Sequence, residues 1–213
     1  MSFLDSKFYR VADFLSFIVF INLIWVASLF TIVLFLPCTF ALFRASRAMI
    51  VDSDNRAIYP FVKTIKQYFW KANVYGLPFL MTAFSLFYYV VAFTSVNATW
   101  SVYLLALTVT AIVLYTLFLA HFLPIASHVR PTALTSNVQR AFWLIFYKPL
   151  QSLLLIVTIA IVSFISLQFL LLFILATGGT LAYYSTRSVL KKLETLNDEH
   201  PETANTLHIQ ESS

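Results

Sequence analysis

Long uncharged runs separated by basic connectors form the main pattern of the chain. No Asp, Glu, Lys or Arg occurs in residues 14–43, 72–129 or 149–186. A transmembrane helix needs about 20 consecutive, mainly apolar residues. The pattern therefore predicts membrane-spanning helices in each run, and the middle run is long enough for two.

Polar residues inside these runs indicate where the chain turns. The stretch SVNATWS at 95–101 divides the middle run into two spans. The last run can hold one long helix or two short ones, and its most polar part, from Ser163 to Gln168, favours a reversal. We predict five spans, at about 14–36, 73–94, 101–123, 150–167 and 169–187. The alternative is four spans, with one long helix in the last run.

Prolines predict the ends of several helices, because proline lacks an N–H and clashes with the preceding turn. Pro37 is expected to end the first span and to begin an amphipathic interfacial helix at about 38–50. Pro60 is expected to begin a second one at about 61–71. The tripeptide Phe-Leu-Pro occurs at both 35–37 and 122–124, which leaves open a repeat of two related hairpins. The predicted structural corners are Pro37, Pro124, Gly178 and Gly179.

The composition requires the bilayer as solvent for most of the chain. Hydrophobic residues make up 60% of the 213 residues and charged residues 11%, whereas soluble domains carry about 25% charge. The predicted fold class is an all-α polytopic transmembrane helical bundle, formed by a single domain at 1–192. The polar, acidic tail at 193–213 is expected to be disordered.

The positions of Lys and Arg predict the orientation in a bacterial cell membrane. Basic residues collect in cytoplasmic loops, and the connectors at 44–71 and 130–148 are basic, whereas the turn at 95–101 is not. The N-terminus is therefore expected outside and the C-terminus in the cytoplasm. Basic residues on the interfacial helices could contact lipid headgroups or dock a partner's cytoplasmic domain. These candidates are Arg44, Arg47, Lys63 and Lys66.

Few residues are candidates for chemistry. The predicted span interiors lack the ionisable residues that pumps use, and Asn22 and Gln168 are the best candidates for intramembrane polar contacts. His121 and His128 have no third ligand for zinc nearby, and Cys38 is the single cysteine. Motifs such as GxSxG, HExxH and GxxxxGK[ST] are absent from the sequence. We therefore predict no enzyme activity, no cofactor, no metal and no nucleic-acid partner.

Several short motifs occur along the chain in a specific order. They are Asn22-Leu23 with Trp25, PCTFALF at 37–43, Phe61 and Thr64 ahead of Phe69, Asn73 with Gly76, Lys148-Pro149, and Gly178-Gly179 with LAY at 181–183. These motifs resemble those of the YesL-like family of bacterial integral membrane proteins. The resemblance covers roughly residues 6–195, although this chain lacks two features of many members, a glycine beside the proline corner and a Pro-Gly turn before the last segment.

The resemblance implies a membrane protein without an established biochemical activity. Genes of this family tend to accompany those for oligosaccharide importers and glycan-degrading enzymes. The resulting hypothesis is an accessory or regulatory component of an ABC-type carbohydrate importer. The alternatives are a small transporter or channel, acting alone or as a homodimer, and a lipid-binding scaffold. The expected partners are membrane lipids, importer subunits and a second copy of the chain.

Overall fold

A computed structural model describes residues 7–51, 58–96, 98–128 and 134–199. All regular elements within those ranges are helical, which confirms the all-α class. A π-helical stretch, Phe173–Thr177, joins the last two helices. The helices are α1 (Lys7–Ser28), α2 (Ile32–Val51), α3 (Ile58–Thr94), α4 (Thr99–His128), α5 (Leu134–Tyr147), α6 (Pro149–Gln168), α7 (Leu170–Leu172) and α8 (Gly178–Glu199).

Among the described residues, four helices are long and apolar enough to cross a membrane. A further apolar helix, Phe14–Ser28, is shorter. Such lengths and compositions are those of a polytopic membrane protein. The four segments are Val33–Val51, Phe61–Thr94, Thr99–Ser127 and Pro149–Gln168.

The first interruption between helices lies at residues 29–31, before Pro37. Pro37 is inside α2, so the predicted corner there is wrong, and residues 38–50 continue α2 instead of forming a separate interfacial helix. The predicted span at 14–36 is accordingly divided between α1 and α2.

Local hydrogen bonds explain the break at 29–31. The N–H groups of Leu29, Phe30 and Thr31 donate to carbonyls three residues earlier, which tightens the end of α1. The carbonyl of Thr31 then accepts from the N–H groups of Leu34 and Phe35. Thr31 thus stands at the N-cap of α2, a position that threonine favours.

Helix α3 is continuous over 37 residues, about 55 Å. The predicted boundary between 61–71 and 73–94 is wrong, because nothing from Lys71 to Asn73 interrupts a helix. Pro60 lies in the first turn of α3, where its missing N–H would have no intrahelical partner. A helix this long exceeds the hydrocarbon thickness of about 30 Å, so one end of α3 must extend beyond the lipid core.

Pro124 does not form the predicted corner either, since it lies inside the 30-residue helix α4. The connection between α3 and α4 falls at 95–98, within the polar stretch that predicted it. Asn97 itself lies outside the described residues.

Helix α5 occupies a region in which the sequence pattern predicted only a basic connector. Asn137, Ala141 and Leu144 recur at helical spacing and are buried. Ala141 and Leu144 pack in one core cluster with Phe122 of α4 and Val189 of α8. Pro149 is the first residue of α6 and separates it from α5.

Helices α6 and α8 are antiparallel neighbours. The chain leaves α6 through one extended residue, Phe169, which places a reversal next to the polar segment that predicted it. At one end of the two helices, the hydroxyl of Thr177 donates to that of Ser166 at 2.6 Å. At the other end, Lys192 Nζ donates to Ser152 Oγ at 2.6 Å.

The predicted fifth span at 169–187 is not a single α-helix. It contains α7, the π-helical stretch and the first half of α8. Gly178 begins α8 at the end of the π-helical stretch, so the change in helix geometry lies just before the two glycines.

The beginning of the predicted disordered tail is ordered. Residues 193–199 belong to α8, Leu196 is buried, and Glu199 pairs with Lys148 at 3.2 Å. The prediction of disorder at 193–199 is wrong because the apolar spacing of α8 continues to Leu196. Residues 200–213 lie outside the described part of the chain.

Glycine 178 permits a close approach between α1 and the start of α8. A Cβ at this position would lie 2.7 Å from Asn22 Oδ1 and 2.8 Å from Trp25 Cε3. The Trp25 ring is held in place by its Nε1–H, which donates to Thr39 Oγ1 at 3.0 Å. We expect Gly178→Ala to lower the free energy of unfolding by about 2 kcal/mol through overpacking.

Thermal or chemical unfolding in detergent measures this effect, with Gly76→Ala as the matched control. A Cβ at Gly76 meets only the flexible end of Leu36, so the control should cost less than about 1 kcal/mol. Equal losses in the two variants would contradict the proposed close packing at Gly178.

Candidate functional site

Most hydroxyl groups on the apolar helices bond within their own helix. Thr82, Ser85, Thr110 and Thr158 each donate to the carbonyl four residues earlier, at 2.8–3.0 Å. This bond satisfies a hydroxyl in an apolar environment without a second helix or water. These side chains therefore do not line up as donors along a common path.

Asn22 bridges α1 and the π-helical stretch and is fully buried. Its Nδ2 donates to the carbonyls of Phe173 at 3.0 Å and Ile174 at 2.8 Å, and its Oδ1 accepts from the N–H of Gly179 at 3.0 Å. In a π-helix the N–H of residue 179 would bond to the carbonyl of residue 174. The Asn22 amide instead provides a partner for each of these two groups.

Lys192 is fully buried at the junction of four helices. Its Nζ lies 2.9 Å from His121 Nε2 of α4, 2.6 Å from Ser152 Oγ of α6 and 3.1 Å from the Leu144 carbonyl of α5. A lysine ammonium has three N–H donors and no acceptor. The three acceptors therefore satisfy the buried ammonium completely.

The ammonium fixes the tautomer of His121. Nε2 must carry the lone pair that accepts from Lys192, so the ring proton is on Nδ1, which donates to the Leu117 carbonyl at 2.9 Å. A second proton on the ring would place two cationic donors against each other. The arrangement thus requires a neutral His121.

The carboxyl end of α5 explains why a lysine can be buried here without a carboxylate. Leu144 and Ile145 belong to the last turn of α5, whose carbonyls lack intrahelical partners and carry partial negative charge. Lys192 Nζ caps the Leu144 carbonyl, and Ser152 Oγ donates to the Ile145 carbonyl at 2.9 Å. Burial among neutral acceptors still lowers the pKa of Lys192 to about 8.

A serine hydroxyl beside a lysine amine is also a catalytic arrangement, but the burial of this pair favours a structural role. Ser152 is 3% exposed, and Lys192 and His121 are fully buried. A substrate could not reach the hydroxyl in this arrangement. The cluster instead joins α4, α5, α6 and α8.

Lys192 is not among the candidate residues that the sequence pattern indicated. A usable signal was present in the spacing of α8: Ala182, Ser185, Val189, Lys192 and Leu196 alternate by three and four residues and are all buried. Lys192 occupies a position of this seam where an apolar residue is expected. His121, which the sequence analysis considered only as a zinc ligand, is also fully buried.

The predicted surface residues have different environments. Arg44 and Arg47 are half-buried on α2, and the Arg44 guanidinium lies 4.9 Å from the centre of the Tyr68 ring. Both arginines are thus partly enclosed by the protein, and Arg44 forms a cation–π contact. Gln168 is exposed at the end of α6 and is not among the hydrogen-bond partners of Asn22.

Lys63 and Lys66 are exposed on α3. With Val62 and Gln67 they line a surface groove of about 500 Å³, which we call the α3 groove. The α3 groove lies near the amino-terminal, basic end of the helix. Of the four predicted cations, these two are exposed and the two arginines are half-buried.

Comparison with known proteins gives one family match. Residues 18–90 are similar to a family described as "Protein of unknown function, DUF624". No curated protein and no solved structure matches the chain. The matched region begins in α1 and ends in α3, so it includes Asn22 and the α3 groove, and over this part the chain is similar to a family of unknown function.

Proposed function

We propose that this protein is a non-enzymatic accessory subunit of an ABC-type carbohydrate importer, and that it binds an acidic cytosolic surface of that importer through the α3 groove. The observation that carries this proposal is the exposure of Lys63 and Lys66 along one groove. The association with sugar import rests on the resemblance to the YesL-like family.

The length of α3 supports a docking role for this groove. Lysines at positions 63, 66 and 71 cannot be accommodated in hydrocarbon at low cost, so the end of α3 that carries them is expected to extend past the membrane surface. Basic segments next to spans favour the cytoplasmic side. A rigid helix then presents two lysines to an acidic partner, and charge complementarity makes the encounter selective.

The bonding of polar side chains supports an accessory role over an independent transporter. Asn22 is saturated by backbone groups, and the hydroxyls of Thr82, Ser85, Thr110 and Thr158 are used within their own helices. These groups would have to be released before they could bind a moving solute.

Charge reversal in the α3 groove tests the proposal. We expect Lys63→Glu/Lys66→Glu to reduce the recovery of importer subunits at least about tenfold, because the two glutamates would repel the acidic surface that the lysines attract. The tagged protein is purified from native membranes of cells grown on glycans, and co-purifying proteins are measured by quantitative mass spectrometry.

Lys71→Glu is the matched control, since Lys71 is exposed on the same helix but does not line the groove. Equal recovery from the double variant and the wild type would refute docking at this groove. Uptake of labelled oligosaccharide by proteoliposomes that contain this protein alone would replace the accessory role with that of a transporter.

A further inference from the structure

A second groove lies between α6 and α8, with a volume of about 280 Å³. We call it the α6–α8 groove. Its apolar wall includes Leu154 and Leu155 of α6. Its polar lining consists of Gln151, Thr158, Tyr184, Arg187, Ser188 and Lys191.

The polar lining has the donors of an anion site. Arg187 and Lys191 are exposed one helical turn apart on α8, and like charges at this spacing repel each other. Within the described residues neither cation forms an ion pair, and no carboxylate lines the groove. An anion bound between them would remove the repulsion and would meet up to eight charged N–H donors.

The neutral polar residues add further donors. In the described part of the chain, the side chains of Gln151, Tyr184 and Ser188 have no hydrogen-bond partner. Thr158, which also lines the groove, uses its hydroxyl on the Leu154 carbonyl. Tyr184 and Ser188 therefore lie on α8 with the two cations, and Gln151 faces them from the beginning of α6, whose next lining residues, Leu154 and Leu155, are apolar.

The apolar wall identifies the class of anion. Helix α6 is one of the helices able to cross a membrane, and Leu154 of the groove wall is 58% exposed on it. A soluble anion gains nothing from such a surface, but the acyl chain of a lipid would cover it. The volume lies at the lower end of ligand pockets, which suits a headgroup whose chains remain in the bilayer.

We propose that the α6–α8 groove binds the headgroup of an anionic glycerophospholipid, with the phosphate between Arg187 and Lys191 and an acyl chain along Leu154 of α6. This site is separate from the α3 groove. It is formed by residues that the sequence analysis did not assign to lipid.

Native mass spectrometry of the detergent-purified protein tests the proposal by titration with phosphatidylglycerol and, separately, phosphatidylcholine. We expect the protein to bind phosphatidylglycerol in preference to phosphatidylcholine. We expect Arg187→Gln/Lys191→Gln to weaken the affinity for phosphatidylglycerol about tenfold or more, because each basic residue near an anionic lipid contributes to binding. Lys71→Gln removes an exposed charge that lines neither groove and should bind phosphatidylglycerol as the wild type does. Arg187→Lys/Lys191→Arg keeps the charge and should retain most of the affinity.

Three results would overturn the assignment: equal binding of the two lipids, equal weakening in the two charge-removal variants, or displacement of phosphatidylglycerol by millimolar glycerol 3-phosphate. The last result would assign the groove to a soluble phosphate. If the double variant does not fold, Lys191→Gln alone allows phosphatidylglycerol binding to be compared with that of the wild type at one exposed position. The titration uses the protein without importer subunits, so its outcome is independent of the proposed docking.

Discussion

Replacing Asn22 with leucine is expected to lower the free energy of unfolding by about 3 kcal/mol, because buried backbone groups lose their partners. Leucine has a similar volume but cannot donate to the carbonyls of Phe173 and Ile174 or accept from Gly179 N–H. The effect is measured as the shift in thermal or chemical unfolding of the purified protein in detergent.

Asn73→Leu is a matched control for this substitution. The Asn73 amide donates to the Phe69 carbonyl of its own helix at 2.9 Å, so its loss leaves no other helix without a partner and should cost less than about 1 kcal/mol. Asn22→Asp retains the acceptor for the Gly179 N–H but loses both donors. We therefore expect it to lose more stability than Asn73→Leu does. Equal stability of Asn22→Leu and Asn73→Leu would show that Asn22 does not hold the π-helical stretch.

The stability of the protein is expected to rise with pH above about 8, because Lys192 is buried with a lowered pKa. The folded-state pKa is about 8 and the ordinary value is 10.5. Between these values the unfolded chain binds more protons than the folded protein, so the free energy of unfolding increases with pH. The gain between about pH 7.5 and about pH 9.5 is about 2 kcal/mol.

Unfolding of wild type and Lys192→Met at these two pH values measures the contribution. Methionine has a similar length and no charge, so the rise should disappear from the variant, whatever its stability at neutral pH. A rise of the same size in Lys192→Met would assign the pH dependence to other groups. Lys191→Met is the matched control, because Lys191 is exposed one residue away and its loss should leave the rise intact.

The sequence predicted the reversals of the chain where polar residues interrupt apolar runs. The connection at 95–98 falls in such a segment, and the reversal at Phe169 directly follows one. The breaks predicted from proline were wrong at Pro37 and Pro124, because both prolines lie inside continuous helices. A proline removes one hydrogen bond, and packing in the surrounding bundle can stabilise a helix by more than that loss.

The sequence predicted some of the candidate site residues but not the sites that depend on the packing of distant helices. Lys63 and Lys66 are exposed, as amphipathic spacing suggests, but the cations at Arg187 and Lys191 form a groove only because α6 packs beside α8. Asn22 was recognised as an unusual polar residue, yet its partners are backbone groups about 150 residues away. Sequence spacing contains no information about such partners.

The sequence by itself determined that this is a helical membrane protein, because the free energy of placing long uncharged runs in lipid depends on composition more than on their neighbours. Only the tertiary structure decided which polar residues are buried and what satisfies them. Lysine is ordinarily a surface residue. Lys192 is buried because the end of α5, His121 and Ser152 meet around its ammonium group. Hydrogen bonds and ion pairs act over a few ångströms, so they are fixed by the meeting of distant segments.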